Sequence, residues 1–271
     1  MSTIRTGLIG WPVEHSLSPK IHAYWIKQYG LDTTYELFPT PPELLGQTIA
    51  DLRREGVTGF NITVPHKQTS MEFFDAVDAT AQRIGAANTV SLRAGILHCS
   101  NTDAYGFRKN LESSQNWTDS ALENALILGA GGAARAAIVA LMEMGCKKIV
   151  ICNRTDEKAE SLAQEFHAEN ILWNDKNDGL ANVTLLVNAT SLGMTGKSPL
   201  EIDLSKLYSH ALVHDIVYVP LVTPLLAQAA SRGNPTVDGL GMLLYQAQAA
   251  FAQWHGITPE VTAKLRAHVL A

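Results

Sequence analysis

The apolar run Ala125-Leu-Ile-Leu128 empties directly into Gly129-Ala-Gly-Gly-Ala-Ala134, and a helix-forming stretch from Gly132 to Met144 follows, carrying Ile138, Val139, Leu141 and Met142. A buried strand that passes straight into a helix leaves no room for side chains at the turn. Gly129 permits the bend, Gly131 lets backbone amides approach a pyrophosphate, and Ala134 fills the third position of G-x-G-x-x-G/A. The helix then offers its unsatisfied N–H groups and positive dipole end to the phosphate. Gly145 is read as its C-cap. Turns of this composition also occur in α/β proteins that bind no nucleotide, so the strand that follows has to decide.

That strand, Lys148-Ile-Val-Ile-Cys152, ends in Asn153-Arg154-Thr155, with Lys158 one turn on. NAD-selective sites place Asp or Glu here to hold the ribose 2′-hydroxyl. A carboxylate repels a 2′-phosphate, whereas a guanidinium grips it bidentately, so the segment reads as an NADP site. The alternative is that Arg154 is a solvated residue at a strand end. Asp156, within reach of the ribose region, leaves some use of NAD open.

At 271 residues the chain holds one large or two ordinary domains, and 46% apolar composition with a net charge of −5 is that of a soluble globular protein. No basic stripe suggests nucleic acid, and no apolar run is long enough to cross a bilayer. Met1-Ser-Thr-Ile-Arg5 leads into an apolar strand without the pattern of a signal peptide, so a cytoplasmic location is expected. Cys99, Cys146 and Cys152 show no C-x-x-C spacing and are read as small apolar fillers. The nine histidines are read as forming neither H-x-x-x-H nor H-E-x-x-H, and no metal is assigned. The oligomeric state is left as monomer or homodimer.

The first third reads as its own α/β unit. Gly7-Leu-Ile-Gly10 is a buried strand, followed by a helix with Ser18 as N-cap and Pro19 at N1. Thr34–Phe38 is a second strand, a helix runs from about Pro42 to Glu55, and Gly59–Val64 is a third strand closed by Pro65. Thr89–Arg93 and Ile96–Cys99 form a hairpin across Ala94-Gly95. A helix follows Asp103, and the polar stretch 112–120 reads as a linker. Leu185–Asn188 and Leu212–Ile216 are buried strands, Thr236–Asp238 is a last one, and Gly241–Trp254 is a packed helix. The expected domains are 1–103 with 239–271, and 104–238. A nucleotide domain that starts mid-chain leaves the N-terminal unit free to hold substrate.

Four segments of that unit carry polar groups where strands end: Ser16-Leu-Ser18, Asn61-Ile-Thr63-Val-Pro-His-Lys67, Ala87-Asn88-Thr89 and Asn101-Thr-Asp103. Ligand groups gather at such carboxyl ends in open α/β sheets. Each also has a plain reading: Ser18 a helix cap, Asn88 a turn former, Asp103 an N-cap, Lys67 a surface lysine.

Taken in order, Gly10-x-Pro12-x-x-His15-Ser16-x-Ser18-Pro19-x-x-His22, Asn61-x-Thr63-x-Pro65-x-Lys67, Asn88-Thr89, Asn101-Thr-Asp103, Gly129-Ala-Gly-Gly132, Asn153-Arg-Thr155, Asn188-Ala-Thr190 and Asp238-Gly-Leu-Gly-Met242 resemble shikimate dehydrogenase across nearly the whole chain. The resemblance implies an α/β substrate domain joined to a Rossmann-like doubly wound NADP domain, with C-terminal helices returning to the first. It implies reversible NADPH-dependent reduction of 3-dehydroshikimate to shikimate in aromatic amino acid biosynthesis. It further implies that Ser16, Ser18 and Thr63 hold the substrate carboxylate, with Tyr218 near that end, and that Asn61, Asn88, Asp103 and Gln246 hold ring hydroxyls. Lys67 and Asp103 are then the catalytic pair. On the cofactor side, Gly129, Ala130, Gly131, Gly132 and Ala133 line the pyrophosphate. Asn153, Arg154, Thr155 and Lys158 take the adenosine phosphate, and Thr190, Ile216 and Gly239 the nicotinamide half.

The side chains suit this chemistry in themselves, because hydride arriving at a ketone carbon leaves negative charge on oxygen, which an ammonium can stabilise and protonate. Three positions depart from the family pattern: Ser100 where an acidic residue often stands, Ala104 in place of glycine, and Ala23 in place of asparagine. Two other readings stay open: a quinate/shikimate dehydrogenase with relaxed cofactor choice, and a non-catalytic sensor of NADP or shikimate.

Overall fold

A computed structural model of the chain describes residues 4–271. Met1, Ser2 and Thr3, read above as leading into the first strand, lie outside the described residues. The chain divides into two compact units, one running to Asp103 and including Leu244–Ala271, the other Ala104–Leu243.

The first unit contains β1 (Ile4–Gly10), α1 (Ser18–Tyr29), β2 (Thr33–Pro39), α2 (Leu45–Arg54), β3 (Gly59–Ile62), β4 (Ala76–Val77), α3 (Ala79–Ile84), β5 (Thr89–Arg93) and β6 (Ile96–Ser100). Its sheet has the order β2-β1-β3-β5-β6-β4. β1 pairs in parallel with β2 and β3, while β5 runs antiparallel to both β3 and β6. The β5–β6 turn takes positive φ at both Ala94 (50°) and Gly95 (81°), as a two-residue hairpin of matching twist requires. Apolar residues at helical spacing on α2, Leu45, Ile49 and Leu52, pack with Ile9, Phe60, Ile62, Val90 and Leu97 of the strands. The unit also holds buried Ile21 and Trp25 of α1 and Phe251 of the C-terminal helix, with Trp25 and Phe251 ring centroids 5.5 Å apart.

Ser18 is not the N-cap expected of it. Leu17 occupies that position with helical backbone angles and no side-chain cap, so Ser18 falls inside the first turn; the Ser16 hydroxyl instead accepts from the Ser18 N–H at 3.2 Å. The helix expected from Pro42 opens with a 3-10 turn, Pro42–Leu44, before α2 begins.

Two helices carry the chain between the units: α4 (Asp103–Glu112), and a long helix near the C-terminus, labelled α8 below. The second unit continues with β7 (Ala125–Leu128), α5 (Gly132–Glu143), β8 (Ile149–Cys152), α6 (Asp156–Phe166), β9 (Glu169–Ile171), β10 (Leu185–Asn188), β11 (Leu212–Asp215), α7 (Pro224–Ser231) and β12 (Thr236–Val237). α8 (Leu240–His255) and α9 (Ala263–Leu270) follow. All six strands of the second sheet are parallel, in the order β12-β11-β10-β7-β8-β9. Numbered from β7, that is the 3-2-1-4-5-6 order of the doubly wound dinucleotide fold, with its switch point between β7 and β10. Both central strands are buried along their whole length, which explains why they read as unbroken apolar runs.

α5 stops at Glu143 with Met144 as C-cap, and Gly145 stands one residue beyond with φ +82°. His210 and His214 do form an H-x-x-x-H spacing, contrary to the reading above, but His210 lies in a turn and His214 on β11. The spacing therefore does not set two ligands on one helical face. Among the described residues no helix is long and apolar enough to cross a membrane.

Candidate active site

The end of β3 runs into the segment that carries Thr63 and Lys67, and this segment is held from two sides. The Lys67 carbonyl accepts from the Ala87 N–H at 2.7 Å, and His66, buried, bonds the Thr40 carbonyl through Nε2 at 2.7 Å. Because a carbonyl can only accept, the His66 proton sits on Nε2. The backbone from which Lys67 projects is thereby fixed, and its side chain stays about one-fifth exposed.

Lys67 Nζ donates to Asp103 Oδ2 at 2.6 Å, a short charge-assisted bond. Asp103 begins α4, where the helix dipole favours a carboxylate, and its own N–H donates to Asn101 Oδ1 at 2.8 Å. Asn101, not Asp103, is thus the side chain that closes the helix start. The other Asp103 oxygen, Oδ1, accepts from Asn88 Nδ2 at 2.8 Å, and Asp103 is only 5% exposed. The plain reading of Lys67 as a solvated surface lysine does not describe this pair.

Asn88 and Asn61 are both buried. Asn88 Nδ2 also donates to Thr102 Oγ1 at 3.0 Å, and its Oδ1 accepts from the Thr102 N–H at 2.8 Å. Asn61 Oδ1 accepts from the Tyr35 hydroxyl at 2.9 Å, while its Nδ2 donates to the Asn88 carbonyl and to Thr89 Oγ1, each at 3.1 Å. Burial raises the Tyr35 phenol far above its ordinary value, so it stays a neutral donor. Ser18 is buried, and Ser16 and Thr63 are half-buried. Gln246, on α8, belongs to this same unit. Tyr218 follows β11 in the second unit, and burial pushes its phenol upward.

In the second unit, Gly129 turns the chain at the end of β7 with φ +117°. A Cβ there would stand 2.9 Å from the Ala189 carbonyl oxygen, so only glycine fits the switch point. Gly131 is the N-cap of α5 with no side-chain bond to the helix, and nothing lies within 4 Å of where its Cβ would be. Uncapped amides beside open space are what an anionic pyrophosphate needs, and Ala130, Gly132 and Ala133 lie on the same turn.

Thr190 and Ile216 leave the ends of β10 and β11 beside it. The Thr190 hydroxyl donates to Asn188 Oδ1 at 2.7 Å, and the Ile216 N–H donates to the Asn188 carbonyl at 3.0 Å. Asn188 Nδ2 in turn donates to Asp215 Oδ1 at 2.9 Å, and Thr223 Oγ1 donates to Asp215 Oδ2 at 2.6 Å. Burial raises the Asp215 carboxyl above the usual carboxylate range, against these donors. Gly239 sits so close that a Cβ would meet the Ile216 carbonyl oxygen at 2.0 Å, which fixes the two loops against each other.

Past β8, Arg154, Thr155 and Lys158 are exposed, and Asn153 Nδ2 donates to the Thr155 carbonyl at 2.9 Å. The Asp156 carboxylate, which suggested tolerance of NAD, accepts from the Trp173 N–H at 3.1 Å and so ties α6 to the end of β9. A basic cluster without a competing carboxylate in its first shell of bonds fits a phosphorylated ribose.

Sequence reasoning missed Tyr35, His66, Asn101 and Thr102 as parts of the site. His66, Asn101 and Thr102 stood inside motifs already singled out, each within two residues of Lys67 or Asp103, and that nearness was the available signal.

Comparison with known proteins gives the same picture along the whole chain. Residues 8–90 match the shikimate dehydrogenase substrate binding domain, 112–217 the shikimate / quinate 5-dehydrogenase family, and 239–267 the shikimate 5'-dehydrogenase C-terminal domain. The chain is 47% identical over 268 residues to the shikimate dehydrogenase (NADP(+)) of Paramagnetospirillum magneticum, covering 98% of this chain and 97% of that protein. Among solved structures, a shikimate dehydrogenase in complex with NADP+ is 37% identical with a TM-score of 0.91, over 99% of this chain and 95% of that one. The Thermus thermophilus shikimate 5-dehydrogenase in complex with NADP(H) and shikimate is 36% identical with a TM-score of 0.89, over 98% of each chain.

Proposed function

The chain belongs to the shikimate dehydrogenase family, and from that premise we propose how its own residues perform the reversible NADPH-dependent reduction of 3-dehydroshikimate to shikimate. It is an oxidoreductase acting on a CH–OH group, with NADP as cofactor. The observation that carries the residue assignment is the Lys67–Asp103 pair, 2.6 Å apart, with Asn88 on the opposite carboxylate oxygen.

When bound, the reduced nicotinamide supplies the hydride. As charge grows on the substrate carbonyl oxygen, the Lys67 ammonium stabilises it and delivers a proton; in the reverse direction the same nitrogen takes the proton from the hydroxyl. Asp103 accepts one Lys67 N–H and leaves two for the substrate, so it aims the ammonium while remaining an acceptor for a ring hydroxyl. The Asn88–Thr102 bond is the longer of the two that Asn88 Nδ2 makes, and it is the one a substrate hydroxyl replaces. Asn61 and Gln246 take further ring hydroxyls, and Ser16, Ser18 and Thr63, with Tyr218, take the carboxylate. Gly129 through Ala133 receive the pyrophosphate; Asn153, Arg154, Thr155 and Lys158 the 2′-phosphate; Thr190, Ile216 and Gly239 the nicotinamide half. A cytoplasmic location and a monomeric or homodimeric state belong to the same reading, as do the domain roles: substrate in the first unit, NADP in the second.

Reduction of cofactor at 340 nm, followed with shikimate or quinate and with NADP+ or NAD+ in parallel, tests this reading. We expect the highest kcat/KM for shikimate with NADP+. Equal or higher efficiency with quinate or NAD+ overturns the substrate or cofactor assignment, and tight binding of both ligands without turnover overturns catalysis.

A further inference from the structure

Thr89 is fully buried, and its hydroxyl touches neither Lys67 nor Asp103 in any bond of the site, yet it lies on a one-way chain of hydrogen bonds that ends on them. The direction of each bond follows from donor arithmetic. Asn61 Nδ2 faces the Asn88 main-chain carbonyl at 3.1 Å, and since a carbonyl can only accept, the Asn61 amide has a single orientation. In that orientation Oδ1 takes the Tyr35 proton at 2.9 Å, and the second Nδ2 proton goes to Thr89 Oγ1 at 3.1 Å. The Thr89 hydroxyl lies 3.3 Å from Thr102 Oγ1 and 2.9 Å from Asn88 Oδ1, and it donates its one proton to the nearer, acceptor-only Asn88 Oδ1. Asn88 Oδ1 is also held by the Thr102 N–H at 2.8 Å, and both donors force Nδ2 toward Asp103 Oδ1 at 2.8 Å. Asp103 Oδ2 meanwhile receives Lys67 at 2.6 Å.

We propose that Thr89 is a positioning residue for the reaction: by relaying the fixed polarity of Tyr35 and Asn61 to Asn88, its hydroxyl holds the Asn88 amide in the orientation that grips Asp103 and thereby aims Lys67. A flipped Asn88 amide would set its oxygen against the Asp103 carboxylate, and the donors that oppose the flip at Oδ1 are the Thr102 N–H, the Thr102 hydroxyl at 3.2 Å and Thr89, of which Thr89 alone carries the polarity of Asn61. The chain starts at Tyr35, whose hydroxyl donates to Asn61 and opens the relay. Asn61 and the Lys67–Asp103 pair are therefore joined through buried polar atoms, and low-dielectric surroundings strengthen each link.

The inference rests on Lys67 and Asp103 being the catalytic pair, and the experiment separates the two ideas. Thr89→Val keeps the shape of the side chain and removes the hydroxyl; Thr89→Ser keeps the hydroxyl and removes the methyl. A packing role predicts that valine is tolerated and serine is not. Positioning predicts the reverse in turnover: measured at 20 °C on folded protein, Thr89→Val loses about ten-fold or more in kcat with KM for shikimate moving less than kcat, and Thr89→Ser stays within about three-fold of the parent. Tyr35→Phe, which cuts the relay one bond earlier and leaves the aromatic packing, serves if Thr89→Val does not fold; it is expected to lose about three- to ten-fold in kcat. Thr89→Val, or Tyr35→Phe in its place, turning over at the parental kcat while Lys67→Ala is inactive would overturn the relay and leave the catalytic pair standing. Lys67→Ala retaining activity would overturn the pair itself.

Discussion

Arg154→Ala removes the one guanidinium at the end of β8, and its effect follows from what surrounds it. The residue is exposed, no ion pair engages it among the described residues, and the nearest carboxylate in sequence, Asp156, accepts from the Trp173 N–H through Oδ1. Its side chain is therefore free to serve a phosphate, and deleting it unmasks no buried group. A hydrogen bond to a charged partner contributes about 1.5–3 kcal/mol; at an exposed, salt-screened position the low end, about 1.5–2 kcal/mol, applies, which corresponds to about 10- to 30-fold. Lys158, also exposed one turn on, limits the loss. The assay is steady-state kcat/KM for NADP+ and for NAD+ at saturating shikimate. The ratio of the two should fall about 10- to 30-fold, through KM for NADP+, while NAD+ kinetics move less than about three-fold; raising ionic strength should shrink the difference. An unchanged ratio, or equal losses with both cofactors, would refute the assignment of the 2′-phosphate to this strand end.

Gly129→Ala forces a side chain into a position with φ +117° and 2.9 Å from a carbonyl oxygen. We expect a loss of about 1–3 kcal/mol in urea unfolding and weaker NADP+ binding by calorimetry; parental values for both would contradict the close-packed switch point. His22 stacks on Tyr35 at 4.1 Å with both ring nitrogens unpartnered, and burial, helped by His255, pushes it down to about 3. Below about pH 6.5 the unfolded chain gains a proton that the folded one refuses, so this contribution to stability is whole above that pH and falls toward pH 3, by about 1.4 kcal/mol per unit. His22→Phe should lose correspondingly less stability between pH 7 and 5 than the parent, and equal losses would show that His22 is not what titrates.

Much of this molecule was legible in the sequence because local chemistry and tertiary position agree. The unbroken apolar runs at Ala125–Leu128 and Leu185–Asn188 became central parallel strands since both of their faces are covered, and the hairpin at Ala94-Gly95 was written in its turn residues. The failures have physical reasons too. β4 is two residues long and β9 three, so each is defined by its neighbour in the sheet and carries no period of its own. Ser18 carries the composition of a cap, but the preceding Leu17 already takes helical angles and so holds the N-cap position itself. Within the site, motif spacing singled out Lys67, Asn88 and Asp103, whereas Tyr35 arrives from a strand far away in sequence and only folding shows that it fixes Asn61. The bond of Asp156 to the Trp173 N–H was equally out of reach, since a backbone group carries no mark in a sequence pattern.

The most direct test of the account is hydride transfer in Lys67→Ala, measured as pre-steady-state cofactor reduction with saturating shikimate alongside calorimetric binding of NADP+. Removing the ammonium proposed to protonate the reacting oxygen should cut the transfer rate by about 10²- to 10⁴-fold while the NADP+ dissociation constant stays within about three-fold of the parent. A variant that transfers hydride at a rate near the parental one would contradict the claim that Lys67 carries the proton.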